Sequence, residues 1–157
     1  MRNIAILIVA AGALALGASA KMHTPSQVQD ERELRSFEAA TAKSEQLNDT
    51  STMDLFADNW VCLGKKVSTK TEFQEAVKRN FVSHGNGPNP YTIEKKNMRV
   101  DLFGDTAVVT YIKEYRQIPD SSRFFDEDDT DVFIRGPQGW KLQLTKISPV
   151  QPEPKLN

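Results

Sequence analysis

The chain has 157 residues, with 20 basic and 21 acidic side chains, a net charge of −1 and a single cysteine. That balance excludes a nucleic-acid binder held by a basic face, and the lone cysteine excludes an intramolecular disulfide. The length suits one domain with a core large enough to stand alone.

The N-terminus, MRNIAILIVAAGALALGASAK, reads as a secretory signal. Arg2 supplies positive charge, Ile4 to Leu16 is an apolar run, and Ala18-Ser19-Ala20 has the small-x-small form that signal peptidase cuts. Cleavage is expected after Ala20, giving a secreted or periplasmic protein. The run is shorter than the ~20 residues a bilayer core requires, so no membrane segment is expected in the mature form. Residues 1–20 are then the signal, 21–25 a flexible lead-in, 26–149 the folded domain and 150–157 a proline-rich tail that cannot continue a central strand.

Helices come first. Ser26 and Gln29 form a capping-box pattern after Pro25. Leu34, Phe37, Ala40 or Thr41, Ser44 and Leu47 then recur at helical spacing. This stripe is lean for a core helix, which suits one that borders a space. Asn48-Asp49-Thr50 breaks it, and Asp49 or Ser51 is placed to cap a short second helix carrying Met53, Leu55 and Phe56. Asn59 to Leu63 reads as a strand, with Cys62 a small buried core residue within it. Thr69 with Glu72 opens a third helix, amphipathic through Phe73, Ala76, Val77 and Phe81, which HGNGPNP terminates.

Everything beyond is strand. With Gly104-Asp105 as a two-residue hairpin loop, Leu102 faces Ala107, Val100 faces Val109 and Met98 faces Tyr111 on one apolar face. Lys95 is expected opposite Glu114. Followed outward from the turn, the inner face runs from Met98 and Tyr111 to Lys96 and Lys113, then to Glu94 and Tyr115. It changes from apolar to ionisable, as the wall of a small-molecule site does; strands running past the core into water would show the same pattern. In the last hairpin, around Gly136-Pro137-Gln138-Gly139, Phe133 is expected to face Leu142 and Asp131 to face Leu144. Phe133, Trp140, Leu142 and Leu144 would then form the inner face. Asp131 would point inward among hydrophobes and need a partner, with Lys113, Tyr111 or Tyr115 within reach.

Other chemistry is poorly supplied. His84 sits in a glycine-rich loop and His23 in the lead-in; with one cysteine they do not make the three or four ligands of a zinc site. The acidic run FFDEDDTD lacks EF-hand spacing and reads as a solvated loop leading into a strand. There is no phosphate loop, dinucleotide fingerprint or nucleophile elbow, so no cofactor is expected.

Helix, short helix, strand, helix and long antiparallel sheet, in that order, carry NDTSTMDLFADNWV (Asn48 to Val61), VSTKTEF (Val67 to Phe73), VDLFGDTAVVTY (Val100 to Tyr111) and TDVFIRGPQGWKL (Thr130 to Leu142). Together they resemble the nuclear transport factor 2-like superfamily, which includes ketosteroid isomerases, scytalone dehydratase and SnoaL-like polyketide cyclases. The closest likeness is to its branch of small domains of unknown function. The resemblance implies an α+β fold in which N-terminal helices pack in a strongly curved antiparallel sheet, a cone-shaped barrel with a pocket at its open end. It also implies a homodimer through the outer sheet face. It carries over no set of reacting groups.

Three functions follow as expectations. The first is a non-catalytic cone binding a small apolar or carbonyl-containing ligand through Tyr111, Tyr115, Lys113, Glu94 and Met98. The second is an isomerase- or cyclase-like enzyme in which Asp131 moves a proton and a tyrosine stabilises an oxyanion. The third is a structural or partner-binding module whose cone is filled by side chains.

Overall fold

The computed structural model describes residues 24–150. The signal, its cut after Ala20, His23 and residues 151–157 of the tail lie outside the described residues. Helix α1 spans Pro25–Leu47. Its cap is Thr24, not Ser26: the Thr24 hydroxyl accepts from the Gln27 amide at 3.3 Å, and the Gln27 side chain accepts from the Thr24 amide at 2.8 Å. Proline at the first helical position fixes the cap one residue before it, because its ring presets φ and the missing N–H has no partner there anyway. The helix stops at Asn48 in a left-handed conformation, φ 52°, whose N–H returns to the carbonyls of Ser44 and Glu45.

The expected second helix shrinks to a 3-10 turn at Met53–Leu55. Asp49 does not cap it. Its carboxylate accepts instead from Ser44 and Ser51, locking the turn between the two elements. Phe56 then opens strand β1 (Phe56–Leu63), earlier than Asn59. A short strand, β2 (Val67–Thr69), pairs antiparallel with β1 and was not foreseen. Helix α2 (Lys70–Ser83) carries the Thr69–Glu72 capping box as expected, and His84 closes it, with Nδ1 2.8 Å from the Asn80 carbonyl. Asn89 bonds the α1 end through the carbonyls of Glu45 and Gln46, so the loop after α2 lies across that helix terminus.

Strands β3 (Tyr91–Phe103), β4 (Thr106–Gln117), β5 (Arg123–Gly136) and β6 (Gly139–Pro149) follow. The sheet order is β2-β1-β6-β5-β4-β3, a curved sheet that does not close. It is not wholly antiparallel: β1 runs parallel to β6, because three successive hairpins set the direction of β6 independently of β1. Leu34 and Phe37 of α1 pack into its concave face against Ala107, Val109, Phe133 and Trp140, and the Phe37 and Phe133 rings meet edge to face at 4.8 Å. The β3–β4 hairpin turns as expected, Gly104 taking φ 65° and Val100 opposing Val109.

Two bulges break the expected register. In β3, Asn97 and Met98 together oppose Tyr111, with Asn97 in the left-handed region at φ 54°. In β6, Gln143 is the extra residue between the pairs Phe133–Leu142 and Val132–Leu144. Each extra residue flips every side chain beyond it to the other face. Lys95 therefore opposes Lys113 and not Glu114, and turns inward; Lys96 and Glu94 turn outward. Likewise Asp131 opposes Thr145 and not Leu144, so Thr145 and Ile147 face in and Leu144 faces out.

Candidate functional site

The second half of α1 places small and polar residues, Thr41, Ser44 and Glu45, where a core helix would carry bulk. The sheet cannot close on them, and a cavity of about 80 Å³ remains. Its apolar wall is Met53, Phe56, Trp60, Phe73, Val77 and Leu142. Trp60 meets Phe56 and Phe73 at ring separations of 5.1 and 5.4 Å. The polar part of the lining includes Lys95, Tyr111, Lys113, Asp129, Asp131 and Thr145. Cys62 also borders the space; it packs against the core as expected but is only half-buried.

The polar wall has two connected groups. Asp131, turned inward as anticipated, accepts from the Tyr111 hydroxyl at 2.7 Å and the Thr145 hydroxyl at 2.5 Å, one on each oxygen. Thr145 in turn accepts from the Trp60 indole at 3.2 Å. Lys95 stands 4.3 Å from the Tyr111 ring centre and is held by Glu38 at 2.5 Å and Thr41 at 3.1 Å. In the second group Lys113 lies 2.8 Å from Glu45, 3.3 Å from Glu127 and 3.9 Å from Asp129. The Tyr115 hydroxyl lies 3.0 Å from Glu45 and 2.8 Å from Glu127 and can donate to either.

Two carboxyl oxygens, Glu38 Oε1 and Asp129 Oδ1, are buried with no hydrogen-bond partner among the described residues. Burial pushes Asp129 up to about 7; Lys113 opposes this, while Glu127 and Asp131 add to it. Burial also raises Glu38, against the pull of Lys95 and with Asp131 reinforcing it. The Tyr111 hydroxyl is held well above its ordinary value by burial and by Asp131. Burial works against the Lys113 ammonium, but Glu45 and Glu127 overcome it and hold the group well above the usual lysine range.

Of the residues expected at a site, Tyr111, Lys113 and Asp131 line the cavity. Tyr115 stands behind Lys113, its ring centre 5.0 Å from the ammonium. Glu94 does not reach the cavity: it pairs on the outer face with Lys96 at 3.3 Å and Arg116 at 3.6 Å. Met98 packs beside the core and borders a separate groove between α1 and β3. Both differences follow from the Asn97 bulge, which an alternating pattern does not contain. The acidic run is strand and not a loop, with Glu127, Asp129 and Asp131 opposite the inward residues of β4. Asp129, Lys95, Glu38 and Thr145 were not foreseen. Asn97 was the available signal for Lys95, since asparagine tolerates the left-handed conformation that this bulge adopts. Among the described residues no cluster of three or more histidine, cysteine or carboxylate groups is arranged to hold a metal ion.

No protein-family model matches the chain, and no curated protein does. Solved structures do. A protein of unknown function with a cystatin-like fold from Nostoc punctiforme superimposes with a TM-score of 0.68 at 16% identity, over 85% of this chain and 98% of that one. A nuclear transport factor 2-like protein with a cystatin-like fold from Novosphingobium aromaticivorans gives a TM-score of 0.67 at 13% identity, over 79% and 84%. The chain has the nuclear transport factor 2-like fold. The association domain of C. elegans CaMKII shares it, with a TM-score of 0.65 at 16% identity, over 80% and 99%. Identities this low establish the nuclear transport factor 2-like architecture and leave the chemistry to the cone's own residues.

Proposed function

We propose that the cone binds a small amphipathic molecule and does not transform it. The observation that carries this is a cavity lined by aromatic side chains and by Asp129, whose Oδ1 is buried with no hydrogen-bond donor among the described residues. An unsatisfied buried acceptor costs about 1–3 kcal/mol, and folds retain few of them. A ligand with an apolar body and one polar group would cover the aromatic wall and satisfy the acceptor together. At about 80 Å³ the space admits only a few heavy atoms, well below the ~300–1,000 Å³ of drug-sized sites. The test is native mass spectrometry of protein purified from its own host, with thermal-shift screening of small polar compounds. A retained or stabilising small molecule is the expected result. Protein that retains nothing and is stabilised by none would overturn the reading.

Acid–base catalysis is the second reading, favoured by a buried carboxyl held near neutrality. That carboxyl is Asp129; both oxygens of Asp131 are already engaged by hydroxyl donors. Deuterium exchange beside the carbonyl of small ketones, lost in Asp129→Asn, would support it; exchange no faster than in buffer would remove it.

Self-association fits the outer sheet face, where Val108, Val132 and Leu144 form a half-buried apolar row across β4, β5 and β6. The association domain of C. elegans CaMKII shares the fold. A homodimer is proposed on that basis, with light scattering as the check. Export is proposed from the signal-like first 20 residues; N-terminal sequencing of the mature protein decides it.

A further inference from the structure

We infer that the occupant of the cone is a small primary amine, bound with its ammonium group against Asp129. The inference rests on the binding reading above and adds the chemical class of the ligand.

Donors and acceptors on the polar wall do not balance. Of the carboxyl groups there, Glu45, Asp129 and Asp131 line the cavity, and two more stand behind its lysines, Glu127 beside Lys113 and Glu38, raised by burial, beside Lys95. Two ammonium groups face them, Lys95 and Lys113. Lys95 is taken up by Glu38 and Thr41. Lys113 is divided among three carboxylates and lies farthest from Asp129, at 3.9 Å. The Tyr111 and Thr145 protons both go to Asp131. Asp129, 1% exposed, is left with an oxygen that has neither a proton donor nor a counter-charge in contact.

A buried carboxylate in excess is relieved by a cation or by its own protonation. An anionic guest adds to the excess, and a neutral guest leaves it in place. An ammonium group supplies three donors and one positive charge at the point of need. The aromatic lining suits the same guest: Trp60, Phe56 and Phe73 border the space, and aromatic rings accept a desolvated cation or its alkyl body. A volume of about 80 Å³ restricts the guest to a short chain. Protonation of Asp129 is the competing route, and it favours neutral guests instead.

The experiment compares n-propylamine, n-propanol and propionate against the whole chain at pH 8, by ligand-observed NMR with thermal shift. Propylamine is expected to bind at least tenfold more tightly than propanol, with propionate weakest. It should also slow labelling of Cys62, which borders the same space. Asp129→Asn should abolish the amine preference while leaving thermal stability equal or higher, since it removes a buried charge whose counter-charge, Lys113, is 3.9 Å away and shared with Glu45 and Glu127. A purely structural Asp129 would show loss of stability on that substitution, and this would count against the inference. Propanol or propionate binding as well as the amine, an amine preference that survives Asp129→Asn, or amine binding without protection of Cys62 each overturns the inference and leaves the pocket reading standing. Failure of all three compounds, together with no retained guest, removes both.

Discussion

Lys95 and Lys113 stand directly opposite each other on the inner face of the β3–β4 ladder, yet each holds its own carboxylate from α1. Glu38 lies 2.5 Å from Lys95, and Glu45 lies 2.8 Å from Lys113. Like charges at opposed positions destabilise a sheet; the helix turns this one into two ion pairs, one buried and one at the edge of the cavity. α1 is therefore joined to the sheet by charge as well as by Leu34 and Phe37.

The buried member of the two is the sensitive one. Glu38→Gln leaves Lys95 without its counter-charge and should cost about 3–5 kcal/mol. The double variant Glu38→Met with Lys95→Met removes both charges and should lie close to wild type. Urea unfolding at pH 9, where Glu38 is ionised despite its raised value, measures both. A single variant as stable as the double one would show that the pair does not act as a unit.

Stability should fall as pH rises from about 4 to about 7. The Asp129 carboxyl moves from 3.8 to about 7 on folding, so the native chain keeps its proton to higher pH than the unfolded chain. Its contribution is full below 3.8, is lost as pH climbs toward 7, and is constant above. The groups acting on it are Lys95 on β3, Lys113 on β4, and Glu127 and Asp131 on β5. The loss is at most about 4 kcal/mol. Asp129→Asn should make that limb shallower in denaturant titrations at successive pH values, leaving the part that the raised Glu38 contributes.

Cys62 should be slow to react. Burial, with Asp129 and Asp131, raises its thiol from 9.0 to about 11, which lowers the thiolate fraction at pH 8 roughly 100-fold relative to an ordinary thiol. Labelling with a disulfide reagent, compared with a cysteine peptide, reads this directly. A rate equal to the peptide's would mean that the thiol does not sense those carboxylates.

The Asn97 bulge should tolerate glycine and reject a β-branched residue. Asn97→Gly keeps access to φ 54° and should change stability little, whereas Asn97→Val should lose about 1–2 kcal/mol. Deleting Asn97 should turn Lys95 away from Glu38 and cost more than the valine. Melting temperatures of the three variants rank them.

The sequence by itself determined the succession of helices followed by long hairpin strands, apart from β2, the Thr69–Glu72 cap, the turns at Gly104-Asp105 and Gly136 to Gly139, and the inward faces of β4 and of Phe133. These are local matters: capping chemistry, turn conformation and a two-residue alternation confined to one hairpin. It also placed Asp131 inward with Tyr111 in reach. Only the tertiary structure decided which way Lys95, Glu94, Thr145 and Ile147 point. A single extra residue in β3 or β6 inverts every later side chain, and which residue bulges depends on sheet curvature and on α1, not on the strand's own pattern. The Asp129 oxygen that lacks a hydrogen-bond donor belongs to the same class: whether a carboxylate oxygen has a donor depends on where all its neighbours' protons go, and those neighbours come from α1, β3, β4 and β6.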